Sequence, residues 1–405
     1  MRKLQWFSVA ALLLVAAGFP LFQAGYEAVS EKEMPHLFNL FLKSPTKENL
    51  HRWDDNAKDR SVFAKVLRPW ALQKRYDLFK EVAPKSVQGA EDWLFYNQDV
   101  DYLLQPPYTD DRFYKGTFDT LVASGKRVNP RNPLVAMEDF RDQLKARGIT
   151  LLLVPIPGKP SIYPEKLYPG FRGAAVSPTV ALLEDLQRRG FATADLFTPL
   201  LKAKAEGRFQ LYLKRDTHWT PQGMEIAAEA LSARIRELAP GLDTAEGLGS
   251  DAGESTRPAP TAPGPRFALK DTTISRWGDI AEMTKVPDRR KIWSEETVEA
   301  HPVIDLASEK PYKDDPASPI LWLGDSFSRI YQTDAPGSAG IIAHVAYHLN
   351  RPLASIVNDG GASTVVRQQL ARRGEMLQGK KLVVWTFVER DLRFGSKGWS
   401  LAALP

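Results

Sequence analysis

The sequence predicts an α/β fold, a mostly parallel sheet flanked by helices. Two observations carry that expectation. From Pro133 to Phe387, short apolar runs alternate with segments whose apolar residues recur at helical spacing, the order that places helices on both faces of a parallel sheet. The helical segments are also punctuated: Ser177-Pro178 and Thr220-Pro221 pair a capping hydroxyl with a first-turn proline, and Gly148, Gly190 and Gly374 stand where helices stop.

Each element follows in order. Pro133 to Arg147 carries Met137, Phe140 and Leu144 on one helical face. Ile149 to Ile156 is a continuous apolar run, as expected of a strand buried on both faces. A helix runs from Ser177 to Gly190, and Phe191 to Phe197 reads as the next strand. Thr198-Pro199 repeats the cap device, and Phe209 to Leu213 is read as a further strand. The helix opened by Thr220-Pro221 aligns Met224, Ala228, Leu231, Ile235 and Leu238. Residues 239–266 are rich in Pro, Gly, Ala, Ser and Thr and read as a loop or linker. Residues 267–318 show weak periodicity and read as an insertion at the rim. Alternation then resumes with a strand at Ile320 to Leu323, a helix at Gly340 to Leu349, a strand at Leu353 to Val357, a helix at Ser363 to Arg373 and a last strand at Leu382 to Phe387.

A chain of 405 residues that is 43% hydrophobic and 25% charged is globular and can bury a large core. Its net charge of +5 comes without a nucleic-acid motif or a long basic run, so no nucleic-acid partner is expected. The mild positive charge suits an acidic polysaccharide or a phospholipid surface, and it is also ordinary for this length. There is no cysteine, which excludes disulfides, thiol nucleophiles and thiolate metal sites. His344 and His348 are four apart in an apolar stretch with no acid between them; they read as helix packing, and no metal or cofactor is expected.

At the N-terminus, Arg2 and Lys3 precede an apolar run from Leu4 to Phe22, close to the roughly 20 residues that span a bilayer. The basic flank keeps the start in the cytoplasm and sends the remainder outside, to the periplasm in a Gram-negative cell. Phe22-Gln-Ala24 is a poor cleavage site, so residues 1–25 are expected to be an uncleaved anchor in the inner membrane, with a cleaved signal peptide as the alternative. Residues 26–87, with Trp53, Phe63, Trp70, Tyr76 and Phe79, read as a helical segment ahead of the α/β domain at 88–395, with 396–405 as a tail.

Two stretches carry chemistry. Pro319-Ile-Leu-Trp-Leu-Gly-Asp-Ser-Phe-Ser328 runs as an apolar strand into Gly324 and then presents Ser326, an arrangement that lifts a nucleophilic hydroxyl off a sheet edge. Alone, Gly-Asp-Ser is ordinary turn composition. Leu211-Tyr-Leu-Lys-Arg-Asp-Thr-His-Trp-Thr-Pro-Gln-Gly223 sets Asp216 two residues before His218, one of only six histidines. In an extended chain these two side chains share a face, so the carboxylate can orient and charge-stabilise an imidazole base for a serine. The other reading of this stretch is a capping Asp and a surface His ahead of a helix. Asn358-Asp-Gly-Gly361 follows the Leu353 to Val357 strand, where ligands bind in open α/β sheets. The backbone N–H groups of Gly360 and Gly361 are candidates to join that of Ser326 in an oxyanion hole; a simple glycine turn is the equal alternative.

Asp-Thr-His-Trp followed far downstream by Gly-Asp-Ser-Phe-Ser resembles the SGNH hydrolase-like domain of the alginate O-acetyltransferases, the AlgJ/AlgX group. In ordinary SGNH hydrolases the serine block comes first; here, as in that group, it comes second. Glu91-Asp-Trp-Leu-Phe-Tyr96 and Val154-Pro-Ile-Pro-Gly-Lys-Pro-Ser-Ile-Tyr-Pro-Glu-Lys-Leu167 also resemble segments of that domain, and the resemblance extends over roughly residues 88 to 395. It implies an SGNH hydrolase-like fold and an O-acetyltransferase acting on an extracytoplasmic polysaccharide through an acyl-serine, with Asp216, His218 and Ser326 as the triad. Alginate is not singled out; cellulose or another exopolysaccharide fits as well. The donor would come from a membrane-bound O-acyltransferase partner. The chain ends soon after the last expected strand, so a C-terminal carbohydrate-binding module like that of AlgX is not expected. Lys159, Tyr163, Trp219 and Arg367 are candidates to contact substrate, with Trp219 stacking on a sugar ring; a packing or solvated-surface role is the other reading of each. Glu389 and Arg390 read as a structural ion pair. A carbohydrate esterase using the same residues with water, or a non-catalytic subunit of a polysaccharide-modifying complex, remain the alternative readings.

Overall fold

The computed structural model describes residues 6, 12, 14–32, 34–42, 44–82, 85–106, 133–173, 175, 177–240, 264–394 and 398–405. The chain forms two compact units, one of Met1–Ala83 with Lys285–Arg289, the other of Pro84–Thr284 with Arg290–Pro405. The first is helical. Thr46 caps Lys47–Arg60 by accepting from the Asn49 N–H, and Ser61 caps Val62–Phe79 by accepting from the Ala64 N–H. Phe19 stacks on Phe63 with ring centroids 4.2 Å apart. Among the described residues no helix is long and apolar enough to cross a membrane; much of the apolar run after Lys3, including residues 4–5, 7–11 and 13, lies outside them.

The second unit opens with a hairpin of β1 (Ser86–Gln88) and β2 (Leu94–Tyr96). Helix α1 (Pro133–Lys145) ends before Gly148, whose φ of +70° favours glycine, and β3 (Thr150–Ile156) follows. Helix α2 (Pro178–Arg188) is capped by the Ser177 hydroxyl, as the sequence indicates. The next strand is shorter than expected. β4 is Ala192–Thr193 only, because Phe197 already begins helix α3 (Phe197–Glu206). Asp195 captures the N–H groups of Phe197 and Thr198, so the carboxylate does the capping and Thr198 lies inside the first turn. Phe209 to Leu213 is not a strand of the sheet at all; Tyr212 forms an isolated antiparallel bridge with Trp219. Helix α4 (Pro221–Leu238) then starts from the Thr220 cap.

Of the expected linker, residues 241–263 lie outside the described residues. The insertion that follows is well structured: β5 (Phe267–Leu269), β6 (Thr272–Arg276), helix α5 (Asp279–Met283), β7 (Glu296–Ala300), β8 (Val303–Asp305) and β9 (Lys310–Pro311). They form a three-stranded sheet in the order β5-β8-β9 and a β6-β7 hairpin. The chain returns to the core through β10 (Ile320–Gly324), the short helix α6 (Ser326–Arg329), α7 (Ile341–Leu349), β11 (Ala354–Val357), α8 (Val365–Arg372) and β12 (Leu382–Val388).

The central sheet has the order β11-β10-β12-β3-β4, and every pairing is parallel. Alternate residues of its strands enter two separate cores. Leu152, Val154, Trp322 and Val384 pack with Met224, Ala228 and Leu231 of α4; Leu151, Leu153, Leu323 and Trp385 pack with Phe140 of α1, Leu186 of α2 and Leu370 of α8. Burial on both faces explains why the strands read as unbroken apolar runs. The parallel pairing sends the C-terminal ends of β10, β11, β12 and β3 to one edge.

Candidate active site

Ser326 stands two residues beyond the end of β10. Asp325 between them is buried and works for the backbone: one carboxylate oxygen accepts from the Phe327 N–H at 2.9 Å, the other from the Val388 N–H at 3.0 Å. It caps α6 and ties the turn to the end of β12. Burial raises the Asp325 carboxyl, with the two backbone donors acting against that. Gly324 is required for space rather than for φ: a Cβ there would lie 2.1 Å from Ser328 Oγ, which itself accepts from the Trp322 indole at 2.9 Å. Ser326 is thereby held at the first position of α6, and its N–H makes no hydrogen bond among the described residues.

The Asp216-Thr217-His218 segment is a loop closed by the Leu213 N–H to His218 carbonyl bond (3.1 Å) and the Thr220 N–H to Leu211 carbonyl bond (2.9 Å). Asp216 and His218 are therefore brought together by a turn, not by the expected extended-chain alternation. Asp216 and His218 meet because Asp216 Oδ1 accepts the His218 N–H at 3.0 Å, folding the carboxylate back over the turn. The same oxygen lies 2.6 Å from His218 Nδ1, and His218 Nε2 lies 2.8 Å from Ser326 Oγ. Burial would pull the His218 imidazole down, but the charge and hydrogen bond of Asp216, with Asp279 behind, lift it above its ordinary value. Burial would raise Asp216, yet the His218 charge, their hydrogen bonds and Arg276 hold it well below the usual carboxylate range. A carboxylate that stays ionised against an imidazole that gains basicity, in line with a serine hydroxyl, is the arrangement of an acyl-transfer triad.

The loop is cradled by the insertion. Ile280 and Ala281 at the start of α5 both donate to the Arg215 carbonyl (3.1 and 3.2 Å). Asp279 N–H approaches Asp216 Oδ2 at 3.3 Å, and Asp279 accepts the Thr217 N–H at 2.7 Å and its hydroxyl at 2.9 Å. Glu296 of β7 takes the N–H groups of Lys214 and Arg215, and Arg276 Nε stands 3.8 Å from Asp216 Oδ2. Sequence reasoning missed Asp279, Glu296 and Arg276. Gly278-Asp279 ahead of Ile280 and Ala281 carries a helix-start signal, but nothing in its spacing ties it to His218. Asp216, His218 and Asp279 offer atoms within 4.8 Å of one another, close enough to hold a metal ion, but their near contacts are already committed to one another and to Thr217.

The four residues expected to touch substrate are buried. Lys159 is fully buried, its ammonium donating to the Leu94 (2.6 Å) and Lys214 (3.1 Å) carbonyls; burial lowers it to about 8. It ties the β1-β2 hairpin to the base of the His218 loop. The Tyr163 hydroxyl, also inside, accepts from the Leu211 N–H at 3.0 Å. Trp219 is fully buried edge-on against Phe327, so no sugar ring reaches it. Arg367 is buried in the opposite core, bonded to the Ser363 and Ser400 carbonyls and lying over Trp385. Of the glycine donors, the Gly361 N–H closes its own turn on the Asn358 carbonyl at 3.0 Å and does not face the site. Glu389 and Arg390 do not pair with each other. Glu389 accepts from the Gly158 N–H and from the hydroxyls of Ser161, Ser177 and Thr179, while Arg390 pairs with Asp99 at 2.8 Å. His344 is buried and lies 3.0 Å from the His301 carbonyl, consistent with packing.

Residues 87–389 match the family described as SGNH hydrolase-like domain, acetyltransferase AlgX. The chain is similar to the probable alginate O-acetylase AlgJ of Pseudomonas syringae pv. tomato, 32% identical over 173 residues that make up 41% of this chain and 37% of that protein. It is 30% identical over 139 residues to the alginate biosynthesis protein AlgX of Pseudomonas aeruginosa, covering 33% of this chain and 28% of that one. The matched part spans only 37% and 28% of the length of these two curated relatives. The O-acetyltransferase domain of Pseudomonas putida AlgJ shares the fold, with a TM-score of 0.51 at 22% identity over 76% of this chain and 92% of that one.

Proposed function

The chain belongs to the family of the SGNH hydrolase-like acetyltransferase domain of AlgX, and from that premise we propose that it is an O-acetyltransferase acting on an extracytoplasmic polysaccharide through an acyl-serine. The observation that carries the reading is the contact of Ser326 Oγ with His218 Nε2 at 2.8 Å, with Asp216 2.6 Å behind the ring. His218 takes the Ser326 proton as Oγ attacks the acetyl carbonyl. The Ser326 N–H faces the oxygen that becomes negative, and His218 returns the proton to the leaving group. In the second half, a sugar hydroxyl loses its proton to His218, attacks the acyl-serine carbonyl, and Oγ recovers the proton on departure. No step calls for a metal or cofactor.

The names of the AlgJ and AlgX relatives favour an exopolysaccharide acceptor; alginate is the one they print. The acetyl group reaches the site from a membrane-bound O-acyltransferase partner, since acetyl-CoA is confined to the cytoplasm. Arg2 and Lys3 before the apolar run to Phe22, and the exposed Leu14, Val15, Leu21 and Phe22, support a periplasmic protein held at the inner membrane by its N-terminus.

Incubating the protein with an acetyl donor and candidate glycans, then measuring acetylated glycan against free acetate, tests the reading. The parent should acetylate a glycan and Ser326→Ala should abolish transfer. Release of acetate alone, in the presence of every glycan tried, would make it an esterase. Transfer that persists in Ser326→Ala would leave it a non-catalytic subunit.

A further inference from the structure

The triad mechanism makes no use of Asp279, although its carboxylate lies 3.9 Å from His218 Nδ1. We infer that Asp279 is a positioning residue for the His218 base: it fixes Thr217, and through it the Asp216-to-His218 turn, so that the imidazole stays aligned on Ser326. This deepens the acyl-serine reading and rests on it.

The geometry is specific. Thr217 is buried between the two triad residues, and both of its donors end on Asp279: the N–H on Oδ1 at 2.7 Å, the hydroxyl on Oδ2 at 2.9 Å and Oδ1 at 3.1 Å. Asp279 returns the contact by presenting its own N–H to Asp216 Oδ2 at 3.3 Å. Its Oδ2 lies 3.9 Å from His218 Nδ1, too long for a hydrogen bond but near enough for its charge to act on the ring. Gly278 admits no side chain, because a Cβ would sit 2.1 Å from the Arg215 carbonyl oxygen; α5 is thereby pressed onto the loop. Thus one carboxylate (Asp216) orients the ring directly, and a second orients the peptide that carries it.

The charges facing the imidazole come from several elements. Asp216 is on its own loop, Asp279 on α5, Arg276 on β6 behind Asp216, Asp325 ahead of α6 and Arg390 beyond β12. Asp279 supports the protonated ring and Arg390 opposes it. Removing the Asp279 charge while keeping its shape therefore leaves the alignment largely intact and makes the base easier to deprotonate.

The test uses the full chain with p-nitrophenyl acetate as acyl donor, measuring kcat and KM across pH for the parent, Asp279→Asn, Asp279→Ala and Ser326→Ala, with melting temperatures alongside. In Asp279→Asn the side-chain oxygen still accepts from Thr217; the acid limb of the profile should move to lower pH with kcat on the plateau little changed. Asp279→Ala should lower plateau kcat by roughly 10²-fold, the cost of a misplaced catalytic group, with KM within about twofold because the residue touches no substrate. An acid limb in Asp279→Asn that coincides with the parent's, or an alanine variant whose loss merely follows its folded fraction, overturns the inference. Acetate release by Ser326→Ala at the parent rate would instead overturn the acyl-serine reading itself.

Discussion

The two halves of the candidate site are built in different ways. The Ser326 turn grows from an inner strand of the parallel sheet: β10 is buried on both faces, Asp325 bonds to the end of β12, and Trp322 bonds to Ser328. The His218 loop belongs to no strand of that sheet. It hangs from an isolated bridge and is held by α5 and β7 of the insertion. The nucleophile is thus as rigid as the core, whereas the base depends on a small peripheral structure. In a fold of this kind, stability and basicity can be altered separately, because they are anchored in different places.

The largest effect that sharpens this contrast falls on the loop. Asp216→Asn keeps the shape of the side chain but forfeits the carboxylate that fixes the His218 tautomer. Loss of that role in a serine triad costs about 10⁴-fold in kcat. The sheet and the Ser326 turn make no use of the Asp216 side chain, so the variant should melt within a few degrees of the parent. A large drop in melting temperature would show that the loop is part of the core after all.

Next in size is a pair of glycines that crowd their neighbours equally. A Cβ on Gly324 would lie 2.1 Å from Ser328 Oγ, and one on Gly278 would lie 2.1 Å from the Arg215 oxygen. Neither has a positive φ, so an alanine acts through space alone. Gly324→Ala should cost about 1–3 kcal/mol of global stability by overpacking, read as a lower denaturation midpoint, because it displaces a side chain bonded to the central strand. Gly278→Ala should push α5 off the loop and lower kcat more than it lowers the midpoint. Equal losses of stability and turnover in both variants would break the comparison.

The same division decides what could be read from the sequence. Elements of the sheet were legible because burial on both faces writes itself as apolar runs between capped helices; β3, β10, β11 and β12 all appear at nearly their expected positions. Ser326, His218 and Asp216 were legible as short motifs in the order of a family, and they meet. The insertion was not, since β6 and β7 are short, half-exposed and paired across a helix, leaving little periodicity. Asp279 and Glu296 act on backbone N–H groups, and a carboxylate's backbone partner leaves no trace in its neighbours. The burial of the substrate candidates was hidden for a related reason. Lys159 and one terminal nitrogen of Arg367 bond to carbonyl oxygens in the interior, and sequence gives long cationic side chains a surface place by default.

The smallest effect separates stability from activity along the pH axis. The folded-state value of His218 is raised, chiefly because Asp216 and Asp279 outweigh burial. A group raised on folding stabilises the protein most below its unfolded value, near 6.5 for an imidazole, and that contribution fades as pH climbs through the raised folded value. Asp216, held low, remains ionised throughout this window. General-base action has the opposite requirement, a neutral ring, and so turnover grows over the same interval. Melting temperature should therefore decline slightly while kcat/KM rises, and His218→Gln should remove that decline while the Ser326 turn keeps its own stability. If the two curves instead rise together, the imidazole is charged by something other than its pairing with Asp216, and the loop cannot be treated as an electrostatic unit separate from the sheet.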